Sequence, residues 1–395
     1  MKAVFSGLLA AMVCAAGLAR ASEKEDALAA MIPAVFSDAQ AQYRLMLEDL
    51  KAFPTNDLPH TFEKGALKTV KPKGWTSGFF PGSLWYLYEY THDDAWKNAA
   101  LAYTQRLEPI RNFTENHDIG FMLYCSYGNG LRLSNPPGYK EVLLDGAAAL
   151  CTRYNEKLGL IRSWNSYNFP VIVDNMMNLE LLMWASKNGG DGRFATIAKS
   201  HANTTNVRHF RADGSAFHII DYNVKTGKIL GYHAGQGASA DAPWARGQMW
   251  GLYGFTMMYR ETRDAAYLQR AITSAEFLIN HPHLPADKVP FWDFEASAIP
   301  NEPRDASSAA IMASALLELC TYVEGERARR YYDMAVTQLL SLSSPVYRAK
   351  VGENGHYILM HCVSHLPGNV EIDVPLCYAD YYYLEALLRF NKLRK

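Results

Sequence analysis

Two aspartates stand in unusually apolar surroundings. Asp174 lies within "VIVDNMMN" (171–178), and Asp118 lies within "HDIGF" (117–121), where the next three residues carry no charge. Burying a carboxylate away from water costs free energy unless the group is paired, hydrogen-bonded or used. Enclosure in an apolar pocket also raises the pKa of a carboxyl group, which suits a general acid near neutral pH. Both aspartates are therefore candidates for acid–base chemistry.

Helix capping is the simpler explanation for the same two residues. Asp174 directly precedes the apolar helical pattern "NMMNLELLMWA", and Asp118 precedes "IGFMLYCSYG". A carboxylate at a helix start accepts hydrogen bonds from free N–H groups, and its pKa falls. If the two carboxylates instead approach each other in one mouth, their repulsion raises the pKa of one of them. The sequence leaves both interpretations open.

A third candidate is the segment "WARGQMWGLYG" (244–254), in which Arg246 and Trp250 are one helical turn apart. Residues at this spacing share a helix face. They form either a cation–π surface pair or a site in which arginine binds a sugar carboxylate and tryptophan packs against the ring. The preceding "AGQGASA" (234–240) lacks the ending of a phosphate-binding loop, and the chain shows no GxSxG motif.

The elements that must position these residues are helical. The chain has 395 residues, 49% of them apolar, which exceeds what one ordinary core holds. Hydrophobic periodicity predicts twelve helices. They cover residues 24–50, 78–91, 94–108, 118–132, 139–155, 173–187, 191–206, 245–261, 265–280, 305–322, 326–342 and 375–391.

Six evenly spaced hairpins without a linker favour an all-α fold, the closed (α/α)6 barrel. An open helical solenoid is the alternative, but its repeats should resemble one another, and no self-similarity is visible. Strand-like alternation is confined to short pieces such as "FHIIDYN" (217–223) and "GHYILM" (355–360).

The N-terminus has the pattern of a secretory signal peptide. Lys2 is followed by an apolar run from Ala3 to Leu18 and by the small-residue site Ala19-Arg20-Ala21. We expect cleavage after residue 21, one catalytic domain over 22–395, and secretion to the periplasm. Cys14 fits a lipidation box poorly. The other five cysteines are scattered without a CxxC pair, so no disulfide framework or zinc site is predicted.

The charge balance excludes two classes of partner. The chain carries 39 basic and 40 acidic residues and no basic stripe, which argues against nucleic acid and against an anionic membrane surface. The 24 tyrosines and 8 tryptophans are compatible with sugar stacking, and equally with a large aromatic core.

Six motifs together carry a family resemblance. They are "GWTSGFFPGSLW" (74–85), "HDIGF" (117–121), "VIVDNMMNLELLMWA" (171–185), "WARGQMWGLYG" (244–254), "PRDASSAAIMASALLEL" (303–319) and "ADYYYLEALLR" (379–389). In this order they resemble the unsaturated glucuronyl hydrolases, which are (α/α)6-barrel glycoside hydrolases. The match covers nearly all of the predicted mature chain.

The resemblance implies a substrate and an unusual reaction. Polysaccharide lyases leave an unsaturated uronic acid at the non-reducing end of their products, and this family removes it by hydrating the C4=C5 vinyl ether. The partner is thus an unsaturated oligosaccharide, and no metal or organic cofactor is implied. Asp174 matches the general acid and base, and Asp118 matches a second essential aspartate that holds the ring hydroxyls.

The resemblance also implies a set of binding residues. His218, Gln236, Arg246 and Trp250 match the uronate subsite; Phe80 stands where members often carry a stacking tryptophan; and His117 matches a histidine that reaches toward the next sugar. The loop "MHCVSHLPGNVEID" (360–373) is expected to edge the leaving-side subsite, with Ser364 as a contact. The histidines at 361 and 365 either favour an anion there or are simply loop residues.

Three competing functions remain open at this point. The related unsaturated rhamnogalacturonyl hydrolases share the barrel but typically rely on one aspartate at the Asp174 position, so Asp118 favours the glucuronyl family. An inverting glycosidase would need two carboxylates with room for water between them. A non-catalytic periplasmic sugar-binding protein would retain Arg246 and Trp250 but would need neither aspartate.

Overall fold

A computed structural model describes the backbone of residues 2–394 and the side chains of residues 23–394. The predicted signal peptide, 1–21, lies outside the residues whose side chains are described. The helices are α1 (Lys2–Asp49), α2 (Phe79–Thr91), α3 (Asp94–Gln105), α4 (Ile119–Leu123), α5 (Asn129–Ser134), α6 (Tyr139–Cys151), α7 (Asn175–Lys187), α8 (Arg193–Arg208), α9 (Ala245–Thr262), α10 (Ala265–Asn280), α11 (Ala306–Leu319), α12 (Gly325–Ser343) and α13 (Cys377–Arg394).

The strands are short and lie in the connections between helices. They are β1 (Leu58–Glu63), β2 (Ala66–Val70), β3 (Tyr154–Asn155), β4 (Leu160–Ile161), β5 (Pro170–Ile172), β6 (Ile219–Tyr222), β7 (Ile229–His233), β8 (Cys362–His365) and β9 (Val370–Val374). β1–β2, β3–β4 and β8–β9 form antiparallel hairpins, and β5–β6–β7 form a three-stranded antiparallel sheet.

Two concentric rings of helices make up the barrel. A π-helical turn, Tyr124–Gly128, joins α4 to α5, so the residues described form twelve helical segments, as predicted. The inner ring runs α2, α4–α5, α7, α9, α11 and α13, and α13 packs back against α2. The outer helices α1, α3, α6, α8, α10 and α12 each pack against inner ones. The predicted (α/α)6 barrel is confirmed.

The inner helices are buried on nearly every side, as expected of helices enclosed by a second layer. In α11 every residue except Glu318 is buried. Small residues allow the close approach of neighbours in the ring: a Cβ added at Gly254 of α9 would lie 2.4 Å from the Cβ of Met176 in α7. The backbone of α9 at Gly254 therefore packs directly on the side chain of Met176 in α7, and a residue with a Cβ would not fit there.

Two sequence expectations about the connections have different outcomes. The segment 217–223 contains β6 as predicted. The predicted strand at 355–360 is wrong, because the N–H groups of Ile358 and Leu359 donate to the buried carboxylate of Asp380 at 2.9 Å each. Those N–H groups are therefore unavailable to a sheet ladder. The nearest hairpin, β8–β9, begins only at Cys362.

Two further observations concern the whole of the described chain. The five cysteines beyond residue 22 are free, and all but Cys320 are buried. Among the residues that the structure describes, no helix combines the length and hydrophobicity needed to cross a membrane.

Gly254→Ala tests the closure of the inner ring. The added methyl overlaps Met176, and overpacking of this kind typically costs about 1 to 3 kcal/mol of the free energy of unfolding. The control is Gly192→Ala, because a Cβ there meets nothing within 4 Å and the backbone φ is −57°. Urea unfolding should show a clear loss for the first variant and a change within about 0.5 kcal/mol for the second. Equal stabilities would contradict the packing described.

Candidate active site

Asp174 immediately precedes α7 but does not cap it. Its backbone is already helical, with φ −54° and ψ −27°, and its side chain accepts no hydrogen bond from the first turn. Oδ2 is buried without any hydrogen-bond partner, and only 8% of the residue is exposed. The nearest basic group is Nε2 of His218, at 3.8 Å, which is beyond hydrogen-bonding distance. The capping interpretation is therefore wrong for Asp174.

Asp118 occupies the equivalent position before α4, and its side chain makes no capping bond either. His117 beside it is fully buried, with its Nε2 3.4 Å from Oδ1 of Asp118 and its Nδ1 3.4 Å from the amide nitrogen of Asn178. His117 therefore lies beneath the carboxylate and exposes no surface to a second sugar, which corrects the role implied by the resemblance. The two aspartates start neighbouring helices of the inner ring.

Burial dominates the electrostatics of both carboxyl groups. Desolvation raises the pKa of Asp174 to about 7; the positive charge of Arg246 opposes this rise and the negative charge of Asp118 adds to it. Desolvation likewise raises the pKa of Asp118 to about 7, against a hydrogen bond from Asn178 and the charge of Arg153. Near neutral pH this pair holds a proton that ordinary aspartates have lost.

The two histidines of the site are neutral. Burial lowers the pKa of His117 and of His218 to about 3. The His218 ring packs on Trp244 with its centroid 4.3 Å away, and its Nδ1 lies 3.0 Å from the Ala234 carbonyl oxygen and 3.1 Å from the Gln236 amide nitrogen. Neither imidazole competes with the aspartates as an acid at neutral pH.

Arg246 is a buried hub of the fold, with 1% of its surface exposed. Its Nη1 donates to Oδ2 of Asp305 at 3.3 Å and to the Val363 carbonyl, and its Nη2 donates to the Ser364 carbonyl at 2.7 Å. Nε alone has no partner. The predicted fork for a uronate carboxylate is thus already engaged by the protein, and its ion-pair partner is Asp305.

Gln236 and Ser364 lie at the same junction. The side-chain Nε2 of Gln236 donates to the Ser364 carbonyl at 2.7 Å, alongside Arg246. Both residues are only partly buried. The structure therefore brings Gln236, Arg246 and Ser364 together, and the backbone of Gln236 also contacts His218, which lies beside Asp174.

Four aromatic rings close the lumen under the aspartates, and we call them the aromatic floor. Phe79, Phe121, Trp250 and Tyr382 form a circle with centroid separations of 5.4, 5.1, 5.3 and 6.0 Å. Trp250 has no exposed surface. The predicted contact of Trp250 with the sugar ring is therefore wrong, and its indole instead supports the site from below.

Phe80 faces away from the lumen. Its ring packs against Tyr43 at 5.3 Å and Tyr103 at 5.1 Å, which are side chains of the outer helices α1 and α3. The predicted stacking role of Phe80 is wrong. The aromatic on the lumen side is Trp75, a partly buried indole whose centroid lies 5.9 Å from Phe121 and 5.0 Å from Tyr378.

Sequence reasoning missed three further residues around the carboxylates. Asn178 accepts a hydrogen bond from the Phe121 N–H at 2.8 Å, and Asn175 donates to the Ile161 carbonyl at 2.9 Å. Arg153 donates to the Arg162 carbonyl at 2.8 Å and faces Asp118 electrostatically. The available signal was the two asparagines in the apolar "VIVDNMMN" run, since a buried amide needs partners.

The predicted leaving-side loop is the β8–β9 hairpin. Its histidines are occupied: Nδ1 of His361 lies 2.6 Å from Oδ1 of Asp373, and Nε2 of His365 lies 3.1 Å from the Gly235 carbonyl oxygen. Of the two interpretations, the loop-residue one fits these contacts. Beside the hairpin is a cleft of 570 Å³, lined by Ala238, Ser239, Asp241, Ala242, Trp292, Glu295, Ser297, Glu302, Leu366 and Pro367.

Two buried, protonatable carboxyl groups above an aromatic floor, in the lumen of an (α/α)6 barrel, form a site that can transfer a proton near neutral pH. This defines an enzyme-like acid–base site on a helical barrel.

Comparison with known proteins identifies the family. No family model matches the chain. An unsaturated glucuronyl hydrolase of Formosa agariphila is 45% identical over 330 residues, or 82% of each chain. An unsaturated chondroitin disaccharide hydrolase of Streptococcus pyogenes serotype M1 is 32% identical over 80% of this chain and 81% of that one. A crystal structure of an unsaturated glucuronyl hydrolase specific for heparin has a TM-score of 0.87 and 44% identity, covering 91% of this chain and 97% of that chain. The chain belongs to the unsaturated glucuronyl hydrolase family and is a glycosidase.

Asp174→Asn tests the burial of the carboxyl group through stability. Between pH 3.8 and about 7 the folded chain holds a proton that the unfolded chain has lost, so raising the pH through this window lowers the free energy of unfolding. Asparagine does not titrate. The variant should therefore match the wild type near pH 4 and exceed it by up to about 4 kcal/mol at pH 8.

Urea unfolding at both pH values measures this difference. Asp94→Asn is the control for loss of an exposed carboxylate, because the side chain of Asp94 is 80% exposed, and it should change the free energy of unfolding by no more than about 0.5 kcal/mol. A gain for Asp174→Asn that does not change with pH would contradict the raised pKa.

Arg246→Lys tests the hub. Lysine keeps the charge but loses the parallel bonds to Asp305 and to the Val363 and Ser364 carbonyls. We expect the free energy of unfolding to fall by about 2 kcal/mol, since a charge-assisted bond contributes about 1.5 to 3 kcal/mol. Arg193→Lys is the matched control, with a side chain that is 68% exposed. Unchanged thermal unfolding of Arg246→Lys would show that the arginine serves substrate alone.

Proposed function

We propose that the protein removes a non-reducing-end 4,5-unsaturated glucuronic acid from the oligosaccharides that polysaccharide lyases produce, by hydrating the C4=C5 bond. One observation carries the proposal: burial raises the pKa of Asp174 to about 7, and its Oδ2 is enclosed without a hydrogen-bond partner. Protonating an enol-ether carbon requires an un-ionised acid at neutral pH. An ionised, capped aspartate could not supply that proton.

The reaction balances with Asp174 as the only proton carrier. Its carboxyl group gives a proton to C4, and the positive charge that develops at C5 is shared with the ring oxygen. Water then adds its oxygen to C5 and returns a proton to the Asp174 carboxylate. The resulting hemiketal opens, the hemiacetal at C1 collapses, and the partner sugar leaves with the glycosidic oxygen.

The neighbours of Asp174 divide the remaining tasks. Asp118 accepts hydrogen bonds from ring hydroxyls and, when ionised, keeps the proton on Asp174. The neutral Nε2 of His218, 3.8 Å from Oδ2 of Asp174, borders the position of the attacking water. The charge of Arg246 and the N-terminal ends of the inner helices supply the positive potential that an anionic uronate needs.

Secretion to the periplasm remains part of the proposal. It is supported by the signal pattern of residues 1–21. N-terminal sequencing of protein recovered from the periplasmic fraction should begin at Ser22. A chain that retains Met1 in the cytoplasmic fraction would contradict it.

The substrate assay follows the ultraviolet band of the conjugated C4=C5 acid together with release of the partner sugar. Unsaturated disaccharides from heparin and from chondroitin are both used, because relatives of each kind are similar to this chain. The band should disappear in step with sugar release, and saturated disaccharides should be untouched. Sugar release that precedes loss of the band would indicate attack at the anomeric carbon instead.

Asp174→Asn should lower kcat by about 10³-fold or more, because general acid–base catalysis contributes about 10² to 10⁴. Asp380→Asn is the contrast, since Asp380 is also buried with a pKa raised to about 7 but is engaged by Tyr43 and two backbone N–H groups. That variant should lose stability while its folded fraction keeps its kcat. Near-normal turnover by Asp174→Asn would refute the assignment.

A further inference from the structure

A compact set of metal-ligand atoms lies at the end of α10, on the segment that leads to α11. His281 is the C-cap residue directly after α10, and His283 and Glu295 follow it. One ligand atom from each of the three lies within 4.8 Å of the other two. Nε2 of His281 and Oε1 of Glu295 are 3.4 Å apart. These residues take no part in the site around Asp174.

The rings of both histidines are held by the fold. Nδ1 of His283 lies 2.6 Å from the Phe294 carbonyl oxygen, to which it donates a proton, so the neutral ring keeps a lone pair on Nε2. A metal-binding histidine is usually fixed in this way, through a hydrogen bond from its other nitrogen. The His281 ring packs against Phe277 at 5.2 Å and Phe294 at 4.7 Å, and its side chain is 7% exposed.

We propose that His281, His283 and Glu295 bind one zinc ion or a similar transition-metal dication. Zinc bonds of about 2.0 to 2.1 Å in a tetrahedral shell place neighbouring ligand atoms about 3.4 Å apart, which is the separation found between His281 and Glu295. Two imidazoles and one carboxylate suit zinc better than magnesium or calcium, which prefer oxygen ligands. Glu295 is 54% exposed, so water completes the shell.

Two features set the expected affinity. The negative end of α10 favours a cation at His281. A second feature weakens binding. Nδ1 of His281 accepts a long hydrogen bond, 3.3 Å, from the backbone N–H of His283. To bind a metal through Nε2, the ring must carry its proton on Nδ1 instead, and this hydrogen bond is then lost. With three ligands and this cost, binding is expected in the micromolar range.

The ion would brace the segment that supports the start of α9. The Phe294 N–H donates to the Pro243 carbonyl at 3.4 Å, and the Ala245 N–H donates to the Trp292 carbonyl at 3.1 Å. A metal that joins His281 to Glu295 closes this segment against the end of α10. The role of the ion is structural, and the proposed reaction at Asp174 does not use it.

Zinc chloride titrated calorimetrically into the full chain, purified without a polyhistidine tag, tests the proposal. We expect one ion per chain and a melting temperature raised by about 2 °C or more at saturating zinc. X-ray absorption at the zinc edge should show two imidazole ligands. Glu295→Gln and His283→Ala should each weaken binding by about tenfold or more.

His233→Ala is the matched control, because His233 is a partly exposed histidine that stacks on Tyr167 outside the cluster. It should bind zinc as the wild type does. Should His283→Ala fail to fold, Glu295→Gln still decides the matter, since it replaces an exposed side chain. The proposal is overturned if the wild type binds no zinc, or if both variants bind zinc as tightly as the wild type.

Discussion

The desolvation of two carboxyl groups at the N-terminal ends of neighbouring inner helices is the constraint on which the site depends. A helix start favours a negative charge, so Asp118 and Asp174 would be ordinary ionised caps if water or backbone N–H groups reached them. Neither side chain caps its helix, and burial outweighs the charge of Arg246 in setting the pKa of Asp174. Such an arrangement is stable only inside a closed ring, because an open row of hairpins would admit water.

The Arg246 hub explains how the ring and the loops above it hold this geometry. One guanidinium joins α9 to Asp305 before α11 and to two carbonyls of the β8–β9 hairpin. Asp305 in turn accepts bonds from the Ser307 and Ser308 hydroxyls at 2.6 Å each. The same cation that moderates the pKa of Asp174 thus anchors the wall of the site.

The sequence predicted the twelve helical segments because helical periodicity and glycine, proline and asparagine punctuation are local signals. It also placed Asp118 and Asp174 at helix starts. It failed where the answer depends on which of two apolar neighbours faces the lumen: Phe79 and Phe80 are adjacent, about 100° apart on the helix, and equally hydrophobic. The strand expected at 355–360 failed for a related reason, since its N–H groups bind Asp380, which lies about twenty residues away in sequence.

The aromatic floor gives the barrel two different ends. Beyond it lies a chamber of 690 Å³ at the C-terminal ends of the inner helices, where Glu180, Arg260, Glu385 and Arg389 are among the lining residues. Arg260 pairs with Glu180, and Arg389 pairs with Glu385, so acids beside the negative ends of helices are matched by cations there. At the opposite end Asp174 has no such partner within bonding distance. The charged groups of one end are neutralised by each other, whereas the carboxyl pair of the other end holds a proton near neutral pH, and only the second arrangement leaves a proton to transfer.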